Sequence, residues 1–125
     1  MNDIYNNWSG TVRRIAAVSG VLAVALGAFG AHGLRDALIA NGTVQTWTTA
    51  ATYHLVHSVV LLFVSRIKPV QKMAAWCFVA GIVLFSGTLY VLAVSNLKWL
   101  GAVAPVGGFC LLAGWLALAF HTDAE

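Results

Sequence analysis

The sequence predicts an all-α integral membrane protein, a four-helix bundle threaded up-down-up-down, and three observations lead there. Apolar residues make up 60% of the 125 positions and charged residues only 9%. A soluble domain carries about 25% charged residues, so a water-facing surface cannot be built from this composition. The mean hydropathy is +0.83. The apolar residues also fall into four runs, each close to the ~20 residues a helix needs to cross a bilayer. Finally, the connections between runs are short, and short connections make sequential helices antiparallel neighbours. The length suits one domain, with helices at about 13–32, 46–65, 70–94 and 98–120 and no soluble domain.

The first ten residues are polar, with Asn2, Asp3, Asn6 and Asn7, and predict an exposed or interfacial lead-in. Arg13-Arg14 then precedes Ile15 to Ala31, an uncharged run long enough to cross ~25 Å as a helix. Ala28-Phe29-Gly30 has the small-residue look of a signal cleavage site, but the run is read as a retained membrane helix. Leu34 to Asn41 mixes Arg35 and Asp36 with aliphatic residues and predicts a short interfacial helix, closed by Asn41-Gly42 as a left-handed cap. Thr43 or Thr46 can cap the second crossing, and Trp47 suits a headgroup-level anchor.

The second crossing is the least apolar, with Thr48, Thr49, Thr52, Tyr53, His54, His57 and Ser58. Such a side turns toward protein rather than lipid. A basic loop, Ser65 to Lys72, follows; its Pro69 suits a helix's first turn, where a missing N–H costs nothing. The third crossing, about Met73 to Val94, carries Gly81 and Ser86-Gly87-Thr88. Ser95 to Lys98 is a tight turn. The fourth crossing, about Trp99 to Phe120, contains Pro105 one turn from its start, where it should kink the helix, and then Gly107-Gly108. Trp76, Trp99 and Trp115 suit either interface or core. His121 to Glu125 is a polar tail.

Charge and cysteine usage exclude several function classes. The net charge of +3 comes from seven basic residues at the ends of apolar runs, with no patch of the kind that binds nucleic acid. Cys77 and Cys110 lie inside apolar runs and read as small hydrophobes. No metal-type cysteine spacing occurs. Arg13, Arg14, Arg66, Lys68 and Lys72 fall on the N-terminal side, against Arg35 and Lys98 on the other. Positive-inside bias then places both termini of a multi-pass membrane protein in the cytoplasm.

The chemistry-bearing candidates are His32, Tyr53, His54 and His57. His54 and His57 are three apart on one helix face, with His57 near the midplane. His32 ends the first helix on the side of His54, so antiparallel packing can bring the two together. Three histidines and Tyr53 have the ligand types for a transition metal, and two histidines for a haem. No carboxylate lies at depth, and histidines that hydrogen-bond across helices explain the same pattern without any ligand. The sequence therefore assigns no metal and no cofactor. Small residues supply a second set of candidates. Ala16, Gly20, Ala23, Gly27 and Ala31 share a broad face of the first helix, and with Gly30, Gly87, Gly107 and Gly108 they read as close helix-packing positions.

Several stretches resemble one known family. Gly27-Ala28-Phe29-Gly30-Ala31-His32-Gly33-Leu34, Tyr53-His54 with His57, Gly81 to Tyr90, Pro105-Val106-Gly107-Gly108 and Ala113-Gly114-Trp115 are similar to the small membrane family catalogued as domain of unknown function 423. The resemblance spans about Ile15 to Phe120. It implies a four-helix bacterial inner-membrane protein with eukaryotic relatives, and no activity, cofactor or catalytic residue. The leading functional reading is an accessory or assembly partner within a membrane complex, or a self-associating protein, with the lipid bilayer and other subunits as partners. A small transporter or channel with a His-lined path along the second helix comes next, and a metal- or haem-binding redox protein third. No nucleophile–base–acid arrangement is present, so catalysis ranks last.

Overall fold

The computed structural model describes residues 2–122. It is helical from end to end, and four of its helices are long and apolar enough to cross a membrane: Asn7–Ala31, Val44–Val64, Lys72–Ser95 and Lys98–Ala119. Lipid offers no hydrogen-bond partners, so a spanning segment must satisfy its own backbone, which a helix does.

Helix α1 runs Asn2–Ala31. The polar lead-in is thus helical and continuous with the first span, with Asp3 and Asn7 exposed. Two contacts hold its start: Ser9 Oγ donates to the Ser65 carbonyl at 2.7 Å, and Lys72 Nζ lies 4.5 Å from the Trp8 ring. After a turn at His32-Gly33-Leu34 comes α2, Arg35–Asn41, closed by Gly42 at φ 66°, the left-handed geometry expected of that glycine. Helix α3, Val44–Val64, starts without a side-chain cap. Thr43, the expected cap, donates instead to the Ala93 carbonyl at 2.7 Å, and Asn41 Nδ2 donates to the carbonyls of Ala93 and Val94. Both satisfy the open carbonyl end of another helix.

The third span is one continuous helix, as the sequence predicts, but a π-helical stretch interrupts its α-helical pattern. Helix α4, Lys72–Gly81, passes into a π-helical segment, Ile82–Gly87, and then α5, Thr88–Ser95. Pro69 lies in the loop before α4, outside the helix's first turn. The fourth span opens as a 3₁₀ turn, Lys98–Ala102, and continues as α6, Ala104–Ala119. Pro105 therefore sits in the first turn of α6 and kinks no continuous α-helix, because a new helix begins there.

Helix α1 packs chiefly on α3, the third span packs on α3, and α6 packs on α4 and the π-helical segment. Two apolar cores result. One gathers Val12, Ala16, Leu61, Val64, Phe78 and Leu111; the other gathers Leu38, Trp47, Ala50, Tyr90 and Ala93. Along α3, the polar residues His54, His57 and Ser58 fall between the two.

Close approach between spans occurs where side chains are missing. A Cβ on Gly107 would overlap the backbone of Leu84 and Phe85, and one on Gly30 would overlap the Trp47 indole. Gly81 likewise makes room for Leu111, and Gly114 for Phe78. Elsewhere the small-residue expectation needs correction. A Cβ on Gly20 would meet nothing within 4 Å, and on Gly87 only the carbonyl of Ile82 at 3.9 Å, within the same span. Gly27 and Gly108 have ordinary contacts, at 3.9 Å to Ala51 and 3.8 Å to Phe85. Trp47 is no headgroup anchor: it is 5% exposed, and its Nε1 donates to the Leu26 carbonyl at 2.9 Å.

Candidate functional site

The buried polar belt begins with α3, whose inward face carries His54, His57 and Ser58, all at most 5% exposed. A buried imidazole needs a partner for each ring nitrogen, because an unpaired polar group in an apolar interior is costly. Both histidines have them.

His57 is bracketed by two groups of fixed character. Trp115 Nε1 donates to His57 Nε2 at 3.1 Å, and His57 Nδ1 lies 2.7 Å from the Tyr53 carbonyl. An indole only donates and a carbonyl only accepts, so His57 is a neutral imidazole with its hydrogen on Nδ1. Its ring meets Trp115 edge-on at 6.0 Å and lies 5.8 Å from Phe78.

His54 belongs to a chain whose direction can be worked out from one end. Ser58 Oγ donates to the His54 carbonyl at 2.7 Å, which uses its only hydrogen. Ser58 must then accept from Ser19 Oγ, 2.6 Å away. Ser19, its hydrogen spent, accepts from His54 Nε2 at 3.1 Å. That leaves His54 Nδ1 as the acceptor for the Tyr90 hydroxyl at 3.0 Å. The chain Tyr90 to His54 to Ser19 to Ser58 has every hydrogen placed, and hydrogen bonds aligned head to tail reinforce one another. It ties α1, α3 and α5 together. The two histidines carry their hydrogens on opposite nitrogens.

The structure does not bring His32 into this belt. His32 is exposed at the turn after α1. The register pairs Ser19 with His54, so His32 lies about 20 Å farther along the helix direction. Tyr53 is 45% exposed; its ring lies 4.8 Å from Phe85 and stacks at 5.9 Å on His57, and its carbonyl, not its hydroxyl, serves the site. Ser19, Tyr90 and Trp115 complete the belt and were not among the sequence candidates. A single polar residue inside a long apolar run was the available signal for Ser19, whereas Tyr90 shares its run with Ser86 and Thr88.

Among the described residues, no three His, Cys, Asp or Glu side chains converge on a point that could hold a metal ion. Cys77 and Cys110 are free thiols, each partly buried. Beside His57 a cavity of about 400 Å³ opens outward, walled by Tyr53, Phe85, Pro105, Phe109 and Trp115. Among the described residues, Ser86 Oγ of the third span is buried and has no hydrogen-bond partner.

Comparison with known proteins returns one family. Residues 26–108 match the model described as "Protein of unknown function (DUF423)". The chain is 39% identical to a UPF0382 membrane protein of Staphylococcus epidermidis, over 86% of this chain and 91% of that one. It is 39% identical to the UPF0382 membrane protein YwdK of Bacillus subtilis, over 83% and 89%. It is 36% identical to the UPF0382 membrane protein C1782.12c of Schizosaccharomyces pombe, over 86% and 98%. No solved structure matches the chain.

Proposed function

We propose, for a chain that belongs to the DUF423 family of proteins of unknown function, that its role is structural: an accessory or assembly partner in a membrane complex, or a self-associating membrane protein. One observation carries this reading. All four ring nitrogens of His54 and His57 are engaged within the chain. A metal, a haem or a solute moving along α3 would have to break bonds that hold the spans together, in surroundings that offer no replacement. In this reading the four spans thread the plasma membrane of a bacterium up-down-up-down, α2 lies at the interface, and both termini face the cytoplasm, where Arg13, Arg14, Arg66, Lys68 and Lys72 gather.

The test is a comparison of His57 variants in the purified protein. His57→Gln can keep one donor and one acceptor and should retain most of the stability. His57→Leu leaves the Trp115 N–H and the Tyr53 carbonyl without that partner and should cost about 1–2 kcal/mol. Stoichiometric metal or haem in the parent, lost in both the His54→Gln and the His57→Gln variant, would defeat the structural reading and favour the redox one.

A further inference from the structure

Helix α1 and the third span both pack on α3 and leave a groove between them, of about 570 Å³. Its walls are largely aliphatic, with Ile15, Val18 and Leu22 from α1 and Val79, Ile82 and Val83 opposite, and the polar Ser19 and Tyr90 also line it. Leu61 and His54 of α3 contribute to its floor. Val18, Leu22 and Val83 are each more than half exposed, so the groove opens to whatever surrounds the spans. At one end it is cationic. Arg14 lines it there, and through the shared residues Ile15, Leu61 and Val79 it continues into a narrow cleft beside Trp8, Lys72 and Trp76. The only acidic residue between the two terminal segments, Asp36, lies on α2, after the far end of α1.

These dimensions match one leaflet of a bilayer. From Arg14 to Leu26 the groove follows α1 for about 18 Å, slightly more than half of a hydrocarbon core of about 30 Å. Trp8 and Trp76 flank the cationic end, the level at which aromatic residues meet lipid headgroups. An apolar slot one leaflet deep, with two cations and two indoles at its mouth, has the chemistry of a lipid whose headgroup is negative. We infer that this groove is a binding site for one anionic phospholipid, with its phosphate between Arg14 and Lys72 and an acyl chain lying between α1 and the third span. A zwitterionic lipid offers the same chain, but its own cation competes for the phosphate. A second copy of this protein would bring its own aliphatic face yet leave both cations without a counter-charge. The inference does not depend on the structural role proposed above.

Native mass spectrometry of the detergent-purified full chain, exchanged with dioleoylphosphatidylglycerol or dioleoylphosphatidylcholine, tests it. One phosphatidylglycerol per chain should be retained, roughly thirtyfold in preference to phosphatidylcholine, since each cation near an anionic headgroup is worth about fivefold. Arg14→Gln combined with Lys72→Gln should abolish that preference. Leu22→Trp leaves both cations in place and fills the groove from an exposed position, so it should fold normally and lose the lipid. Equal retention of the two lipids would overturn the inference. So would an undiminished preference in the double variant, or undiminished retention by Leu22→Trp. Efficient disulfide dimers through Val18→Cys, in a chain whose Cys77 and Cys110 are replaced by Ala, would assign the groove to a second copy instead.

Discussion

Replacing Gly107 by Ala adds one carbon where one span meets the backbone of another, and the cost can be worked from the geometry. The new Cβ would lie 2.7 Å from the Phe85 Cα and closer still to the Phe85 nitrogen and the Leu84 carbonyl carbon. Carbon atoms settle at about 3.5–4.0 Å, so α6 and the π-helical segment must part by about an ångström. Backbone cannot swing aside as a side chain does. A gap of 0.5–1 Å forfeits roughly a quarter to a half of each dispersion contact along the seam. Overpacking of this kind costs about 1–3 kcal/mol, and an unyielding backbone puts Gly107 at the upper end. Ala recovers about 1 kcal/mol in helix propensity, which leaves a net loss of about 2 kcal/mol. Gly20→Ala is the matched control. Its Cβ meets nothing within 4 Å, so it keeps the propensity gain of up to about 1 kcal/mol. The two variants should therefore differ by about 3 kcal/mol. Equilibrium unfolding in dodecyl maltoside with rising dodecyl sulfate, followed by tryptophan fluorescence, reads that difference. If Gly107→Ala unfolds at the same dodecyl sulfate fraction as Gly20→Ala, the close approach at Gly107 is wrong.

Two further outcomes are expected. Thr43→Val and Asn41→Ala each remove one donor to the Ala93 carbonyl and should cost up to about 1 kcal/mol singly, but the double variant should lose more than their sum, because only then is that carbonyl left bare; strict additivity in the same unfolding assay would contradict the shared acceptor. In a chain with Cys77 and Cys110 replaced by Ala, an impermeant maleimide added outside cells should label a cysteine at the exposed position Ala40 and spare one at the exposed position Lys68; the reverse pattern would place both termini outside.

The four spans were legible because lipid forces a simple code: a helix must be apolar along its length and must satisfy its own backbone. Gly42 was legible for a similar reason, since an Asn-Gly pair after a short amphipathic stretch asks for a left-handed residue. Placement between helices was not. The small-residue stripe of α1 was read as a single close-packing face, yet Ala16 and Ala23 are buried while Gly20 stands clear. Spacing says which residues share a face; it does not say how far that face is rotated against its neighbour. The same gap explains Trp47. An indole near a helix start suits a headgroup region, but α2 folds over that end, and Gly30 makes room for the ring against α1.

The histidines show where sequence reasoning stops and why. Three histidines on a membrane protein suggest a shared ligand, and the spacing of His54 and His57 did place both on the buried face of α3. What decides their chemistry is the identity of their partners: Ser19, Tyr90 and Trp115 from other helices, and the carbonyl of Tyr53 one turn back on α3. Trp115 is a pure donor, and it sets His57 with its hydrogen on Nδ1. Ser58 spends its hydrogen on the His54 carbonyl, and that choice propagates through Ser19 to set His54 with its hydrogen on Nε2. Two residues of the same type, one turn apart, are thereby driven to opposite tautomers by what faces them. Nitrogen-15 NMR of histidine-labelled protein in bilayers separates protonated from bare ring nitrogens. It should show one neutral ring of each kind at these positions, and Trp115→Phe should disturb the His57 signals while leaving those of His54 in place. Two rings of the same tautomer would break the chain of donors at Ser19, and with it the argument that these side chains have no bond left to offer a ligand.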